Sequence, residues 1–299
     1  MQKIKIVSSR VVFLQSGLGN QMFQYAFYLA KKARGENITC DIGFILLRNP
    51  HNGFELERVF DIALSSKKPR LLLCRILKRL KKKLPILYSL ISFLFDCDLV
   101  EDTVPSVYSP SLLPHKGTAF YLGYWQTEDY FKEIRNVIEK TFQFRLHLLN
   151  KESQKLLEDI ENRNSISIHI RRGDYFFPQY KSTYGEVCSL EYYVKAIERM
   201  RELVGNGVFY VFSNDIGWVK QNMNIPNPVF VDCNHGQDSW QDMCLMSHCK
   251  HNIIANSTFS WWGAWLNSNV SKVVLSPSHF LNTDKRSDII PPDWIKIQI

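Results

Sequence analysis

The chain has 299 residues, of which 45% are hydrophobic and 22% are charged. This length and composition exclude a disordered or fibrous protein and predict two globular domains. The net charge is +8, but nine Lys and Arg residues lie between Lys67 and Lys83 with no Asp or Glu among them. Because the rest of the chain is close to neutral, the charge indicates either a local anionic partner, such as a membrane surface, or a solvated helix face.

The first predicted elements are a strand, a turn and a helix. A β-branched apolar run predicts a strand over residues 11–15, followed by a tight turn over 16–20 and a helix over 21–34. The next strand is predicted over residues 38–41. This order of elements is typical of a Rossmann-like domain.

The turn at Gly17 and Gly19 also resembles part of a dinucleotide-binding fingerprint, with Asp41 at the end of the following strand. Met22 stands where the third glycine of that fingerprint belongs. An NAD-binding Rossmann enzyme is therefore an alternative that the missing glycine disfavours.

Residues 49–114 show no clear periodicity, and their fold is not assigned. They include the basic segment 65–100, whose apolar part over 84–95 is shorter than the roughly 20 residues of a membrane-spanning helix. Beside the basic charges, that part fits a helix lying in a membrane interface. The odd cysteine count and the lack of a cleavable signal favour the cytoplasm, with peripheral contact to an anionic membrane through residues 67–83. A membrane-surface or nucleic-acid-binding protein without enzymatic activity is the second alternative.

Two groups of residues carry side chains that bind metals elsewhere. Asp96 and Asp98 form a DxD triplet, which holds a divalent cation in metal-dependent glycosyltransferases, but this triplet ends no recognisable β-α-β unit. Cysteines and histidines cluster over residues 244–251 with a spacing that matches no standard zinc site. We predict that neither group binds a metal and that the protein requires no metal or other cofactor.

The second half of the chain alternates strands with helices. Strands are predicted over residues 165–170, 208–213, 228–232, 252–255 and 272–276, with helices between them. Such alternation predicts a parallel sheet with right-handed crossovers. Ligands of such sheets bind beyond the carboxyl ends of the strands, which here selects the loops over residues 169–175, 213–215, 232–235 and 256–260.

These loops carry groups suited to a nucleoside diphosphate. Arg171 and Arg172 offer guanidinium donors for phosphate oxygens, and Gly173 permits close backbone approach. Ser257 and Thr258 open a helix whose free N–H groups attract anions. A diphosphate leaving group gains negative charge in the transition state, so positioned donors can stabilise its departure.

Five stretches together resemble the bacterial α-1,2-fucosyltransferases of glycosyltransferase family 11: GLGNQMFQYAF (17–27), GYWQTEDYF (123–131), HIRRGDY (169–175), FSND (212–215) and NSTFSWWGAWL (256–266). The resemblance implies an α/β protein of the GT-B type, with two Rossmann-like domains facing a cleft. An acceptor-side domain is expected over residues 1–155 and a GDP-fucose-binding domain over 156–299.

The implied reaction is inverting transfer of L-fucose from GDP-β-L-fucose to the 2-hydroxyl of a terminal galactose, in the synthesis of a surface polysaccharide such as O-antigen or capsule. A GT-B fucosyltransferase of different linkage is the nearest alternative. The resemblance, with a broader likeness to protein O-fucosyltransferases and α-1,6-fucosyltransferases, implies a donor site made of Gly17, Leu18, Gly19, Asn20, His169, Arg171, Arg172, Ser213, Asn214, Asp215, Asn256, Ser257, Thr258 and Phe259.

Arg171 is the implied diphosphate ligand within this site. Acceptor binding is expected from Tyr124, Trp125 and Gln126, unless these residues belong to the core. The expected catalytic residues are Arg171, His169, Asp174 and Asn20. The base that accepts the acceptor's proton stays open among His169, Asp174 and an unassigned acid in the first domain.

Overall fold

The computed structural model describes residues 10–49, 51–102, 104, 106–112, 117–283 and 286–298, except the side chains of Asp174 and Phe176. The chain divides into two compact units, Met1–Gln143 and Phe144–Ile299. The division lies before the expected boundary at residue 155, because the polar helix that begins after Asn150 packs within the second unit.

The first unit is built on a parallel sheet with the strand order β2-β1-β4-β3. Its strands are β1 (Arg10–Phe13), β2 (Ile38–Asp41), β3 (Cys97–Glu101) and β4 (Thr118–Leu122). Its helices are α1 (Leu18–Ala33), α2 (Gly43–Arg48), α3 (Leu56–Phe60), α4 (Lys68–Lys83), α5 (Pro85–Phe95) and α6 (Arg135–Thr141). Short 3₁₀ turns lie at Pro110–Leu112, Glu128–Tyr130 and Lys132–Ile134.

The first unit buries the apolar residues that the sequence places at regular intervals. Strand β1 is apolar from Val11 onward and fully buried there, and helix α1 buries Met22, Phe23, Ala26 and Phe27 against the sheet side. Helix α1 begins three residues earlier than predicted. The region that the sequence left unassigned contains α3, α4, α5 and β3.

The second unit is built on a parallel sheet with the strand order β10-β9-β8-β5-β6-β7. Its strands are β5 (Ser165–Ile170), β6 (Val208–Ser213), β7 (Pro228–Val231), β8 (His251–Ile253), β9 (Val274–Pro277) and β10 (Ile295–Ile297). Its helices are α7 (Lys151–Glu161), α8 (Pro178–Tyr184), α9 (Leu190–Val204), α10 (Ile216–Asn222), α11 (Trp240–His248) and α12 (Thr258–Trp265). Its 3₁₀ turns lie at Leu146–Leu148, Gly173–Phe176 and Gly236–Asp238.

The parallel sheet and the bounds of β5 and β6 are confirmed. The alternating isoleucines of β5 are typical of a strand, and the continuous apolar run of β6 is typical of a strand buried on both faces. Helix α9 begins as predicted after Ser189, whose hydroxyl accepts the backbone N–H of Tyr192 at 3.2 Å. Among the described residues, none of the helices is both long and apolar enough to cross a bilayer.

Candidate functional site

The carboxyl edge of the second sheet collects the polar loops that the sequence selected. Strand β5 leads into Arg171 and Arg172, β6 leads into Asn214 and Asp215, and β8 is followed by the start of α12. Because β5 pairs in parallel with both β6 and β8, the three loops emerge side by side.

The loop after β5 is tied directly to the loop after β6. The backbone N–H of Arg172 donates to Asn214 Oδ1 at 2.9 Å. Gly173 has a φ of +35°, and a Cβ at this position would lie 1.9 Å from Asn214 Nδ2. Glycine is therefore required here on both conformational and steric grounds.

Arg171 lies beside the residues that lead into α12. Its guanidinium carbon is 5.4 Å from the centre of the Tyr175 ring, and the Tyr175 hydroxyl donates to the carbonyl of Asn256 at 3.1 Å. Ser257 is the N-cap of α12, and its hydroxyl accepts the backbone N–H of Phe259 at 3.3 Å. A guanidinium and a helix N-terminus near each other are suited to an anion.

His169 is buried within this edge. The ring centres of His169 and Phe259 are 5.9 Å apart, and Tyr193 donates its hydroxyl hydrogen to the His169 carbonyl at 3.0 Å. Within the part of the chain that the structure describes, His169 Nδ1 has no hydrogen-bond partner. A buried polar nitrogen of this kind normally has a partner, so a ligand group would complete its bonding.

The ionisation of His169 bears on its expected role as a base. Burial, and then the positive charge of Arg171, lower the pKa of His169 to about 3. A side chain with so low a pKa is a weak proton acceptor at neutral pH. The geometry therefore favours His169 as a neutral ligand-binding group over His169 as the base.

Arg172 and Asp215 are positioned by one aromatic residue that the sequence reading did not single out. The Arg172 guanidinium carbon lies 3.5 Å from the ring centre of Trp218. Asp215 caps α10 by accepting the backbone N–H of Trp218 at 3.1 Å. The cap role that the sequence left open for Asp215 is thus observed. The side chain of Asp174 lies outside what the structure describes.

In the first unit, the expected donor and acceptor residues meet at the carboxyl ends of β1 and β4, which are neighbouring strands. Gln126 donates from Nε2 to Asn20 Oδ1 at 2.7 Å, and Asn20 donates from Nδ2 to Ser16 Oγ at 3.2 Å. Gly17 is the N-cap of α1, so the start of this helix lies next to these two amides.

Two residues near this turn come from the segment that the sequence left unassigned. Glu55 is buried and accepts the backbone N–H of Leu18 at 3.0 Å, and it forms an ion pair with Arg58 at 3.1 Å. It is an acid next to the expected site, and its contacts identify it as an anchor of the turn. His51 lies so close to Gly17 that a Cβ on that glycine would be 3.2 Å from the imidazole Cδ2.

The expectation that Trp125 binds the acceptor is wrong in this structure. Trp125 is fully buried, and its ring stacks on Phe27 with centres 4.2 Å apart and planes at 4°. Asp102 Oδ2 accepts the backbone N–H groups of Tyr124 and Trp125 at 3.2 and 3.0 Å, which fixes this bend. Tyr124 and Gln126 remain partly exposed on either side of it.

The other chemistry-bearing residues have structural roles. Asp41 is buried and accepts from the backbone N–H of Gly43 and Lys67, at 2.8 and 2.9 Å, so its carboxylate holds the chain and not a ribose. Asp98 accepts a short hydrogen bond from the Tyr88 hydroxyl. Throughout the described residues, no three His, Cys, Asp or Glu side chains are grouped so as to hold a metal ion.

Replacing Trp125 tests whether its ring belongs to the core. We expect Trp125→Ala to lower the free energy of unfolding by about 3–5 kcal/mol, because a fully buried aromatic ring is lost. Tyr124→Ala, the matched neighbour, should cost about 1 kcal/mol or less. Urea unfolding followed by circular dichroism measures both, and equal effects of the two substitutions would contradict this assignment.

A second prediction concerns the neutral state of His169. Its pKa falls from about 6.5 in an unfolded chain to about 3 in the folded protein, so the stabilising contribution is present above pH 6.5 and is lost as pH falls toward 3. Relative to His169→Gln, the wild type should lose up to about 1.4 kcal/mol of unfolding free energy per pH unit across that window. Urea unfolding at several pH values measures the difference, and a difference that does not change with pH would show that His169 is not buried in the neutral form.

The chain is similar in sequence to a known protein family and to several known proteins. The model of glycosyl transferase family 11 matches residues 104–298. The O-antigen biosynthesis glycosyltransferase WbnK of Escherichia coli is 33% identical, over 95% of this chain and 99% of its own length. An α-1,2-colitosyltransferase of Escherichia coli is 32% identical, over 96% of this chain and 98% of its own length.

More distant relatives match a smaller part of the chain. The galactoside α-(1,2)-fucosyltransferase 2 of Mus musculus is 28% identical, over 59% of this chain and 54% of its own length. Among solved structures, NodZ α-1,6-fucosyltransferase soaked with GDP-fucose has a TM-score of 0.51 at 14% identity, covering 87% of this chain and 92% of that one. With an α/β unit on either side of Gln143, that likeness confirms the GT-B fold class.

The family model and the near full-length relatives exclude two earlier alternatives, an NAD-binding Rossmann enzyme and a binding protein without enzymatic activity. They confirm the family expected from the five sequence stretches. The chain belongs to glycosyl transferase family 11 and is a glycosyltransferase.

Proposed function

We propose that this glycosyltransferase transfers L-fucose from GDP-β-L-fucose to the 2-hydroxyl of a terminal galactose, without a metal ion. The observation that carries the donor assignment is the carboxyl edge of the second sheet, where Arg171, the start of α12 and the unpaired Nδ1 of buried His169 lie together. The α-1,2 linkage is supported by the relatives, since both the colitosyltransferase and the mouse fucosyltransferase are α-1,2 enzymes.

The proposed reaction is a single displacement. The acceptor's 2-hydroxyl oxygen forms a bond to C1 of fucose while the bond from C1 to the β-phosphate oxygen breaks, so a β-linked donor gives an α-linked product. GDP leaves with the bonding electrons, and its added negative charge is stabilised by the Arg171 guanidinium and the positive end of the α12 helix dipole. The acceptor's proton leaves to a base, for which Asp174 and an acid of the first unit remain the candidates because His169 has a lowered pKa.

The first unit is proposed to hold the sugar and acceptor hydroxyls. Asn20 and Gln126 are amides already paired with each other at 2.7 Å. Because an amide NH₂ can donate two hydrogen bonds and an amide oxygen can accept two, each can bond a hydroxyl group in addition to its present partners. Tyr124 is partly exposed beside Gln126 and offers an aromatic face for a pyranose ring. Trp125 supports this surface from inside the core.

Substitution of Arg171 tests the donor site. In a transfer assay with GDP-fucose, a β-galactoside and EDTA, Arg171→Ala should lower kcat by about 10²–10³-fold, because the departing diphosphate loses a charged donor. Arg171→Lys should recover part of the activity, since it restores the charge without the guanidinium fork. Arg199→Ala, on the exposed surface of α9, is the matched control and should leave kcat unchanged. A fully active and folded Arg171→Ala variant would refute the assignment.

A second candidate function is transfer of colitose, because the α-1,2-colitosyltransferase matches 96% of the chain whereas the mouse fucosyltransferase matches 59% of it. Colitose differs from fucose by the absence of the 3-hydroxyl. We expect kcat/KM to be at least about tenfold higher for GDP-fucose than for GDP-colitose, because a site that bonds a hydroxyl rejects the analogue without it. Competition between the two donors measures the ratio, and a preference for GDP-colitose would establish the second function.

A further inference from the structure

Helices α4 and α5 form a hairpin in the first unit. Its charged residues are all basic. The hairpin covers residues 67–95, joins its two helices through the single residue Leu84, and contains no Asp or Glu. It precedes residues 104–298, the region that the family model matches. The donor and acceptor groups described above do not include any residue of this hairpin.

One face of each helix packs onto the sheet. Cys74 and Leu77 of α4 and Tyr88 of α5 are buried in the same apolar cluster as Leu99 and Phe120 of the strands. Leu71, Leu80, Ile91 and Phe95 pack against that cluster from its margin. These contacts fix which sides of α4 and α5 face outward.

The outward sides carry a second apolar stripe. On α4, Leu72, Leu73 and Ile76 are exposed at helical spacing, although a surface helix normally shows polar residues there. On α5, Ile86 is 87% exposed and Phe93 is 60% exposed, with Leu87 and Leu90 exposed between them. Exposed apolar groups that are contiguous along a hairpin mark an interaction surface.

Exposed basic side chains lie beside this apolar stripe on α4. Lys67, Lys68, Arg75, Arg79, Lys82 and Lys83 are exposed, and Lys78 and Lys81 lie 3.8 and 3.2 Å from the carboxylate of Glu101. The hairpin therefore combines exposed Leu, Ile and Phe side chains with a dense positive charge.

We propose that the outer face of the α4–α5 hairpin docks onto a lipid bilayer that contains anionic headgroups. Its apolar stripe inserts at the headgroup level, and its lysines and arginines contact lipid phosphates, the combination found in interfacial helices. Nucleic acid would bind the charges but gains nothing from exposed Ile86 and Phe93. A second copy of this hairpin would bring like charges together. A bilayer is the partner that satisfies both the apolar and the basic groups.

Sedimentation with vesicles tests this proposal on the full chain. Vesicles of phosphatidylcholine with phosphatidylglycerol should bind the protein at low ionic strength, and vesicles of phosphatidylcholine alone should bind it much less. Ile86→Ser with Phe93→Ser should weaken binding at least about tenfold. Lys82→Glu with Lys83→Glu should weaken it by about 25-fold or more, because each basic residue near the surface contributes about fivefold.

Matched controls separate the hairpin from general surface effects. Leu190→Ser with Val194→Ser removes two exposed apolar groups from α9, and Lys151→Glu with Lys155→Glu reverses two exposed charges on α7. Both controls should bind vesicles like the wild type. Binding that is absent in the wild type, or lost equally in the controls, would overturn the proposal. So would a wild-type dimer in light scattering that Ile86→Ser with Phe93→Ser converts to a monomer without any change in vesicle binding.

The outcome does not depend on the identity of the donor or acceptor, because vesicle binding is measured without substrates. Glycosyl transfer to a water-soluble galactoside should be unchanged in both hairpin variants, since neither pair of residues belongs to the proposed site. Loss of vesicle binding with retained transfer therefore supports membrane docking as a separate property of the hairpin.

Discussion

The hydrogen bond from the backbone N–H of Arg172 to Asn214 joins two neighbouring strand ends, and the candidate donor site depends on it. It holds the loop after β5 against the loop after β6. Asn214 lies so close to position 173 that only glycine fits there. Arg171 is thereby held next to Tyr175, which in turn bonds to the residue before the α12 cap. Three loops of the parallel sheet become one surface because their ends are bonded to one another.

Burial of His169 determines which groups of this surface carry a positive charge. An imidazole that is buried beside a guanidinium remains neutral, since a second positive charge there would be neither solvated nor paired. The positive groups that remain, Arg171 and the N-terminal end of the α12 dipole, are those that a departing diphosphate requires in the proposed reaction. His169 then contributes hydrogen bonding and shape, and the proton of the acceptor must leave by another route.

Much of the second unit could be predicted, because its elements show clear sequence patterns: alternating isoleucines in β5, an apolar run in β6, and helical spacing with a serine cap in α9. The segment over residues 49–114 could not be predicted, and the structure shows a physical reason. Helices α4 and α5 carry apolar residues on outer as well as inner faces, so periodicity does not reveal which stripe is buried. The sequence left Trp125 open between acceptor binding and the core, since only tertiary contact with Phe27 shows that its ring lies in the core.

The proposed activity of this family 11 glycosyltransferase is transfer of fucose from GDP-fucose to the 2-hydroxyl of galactose without a metal. The most direct measurement is nuclear magnetic resonance of the product formed from GDP-fucose and a β-galactoside in the presence of EDTA. We expect one new α-linked fucose on O2 of the galactose. A product linked through another hydroxyl, a β-linked product, or a folded protein that neither binds GDP nor forms product in EDTA would contradict it.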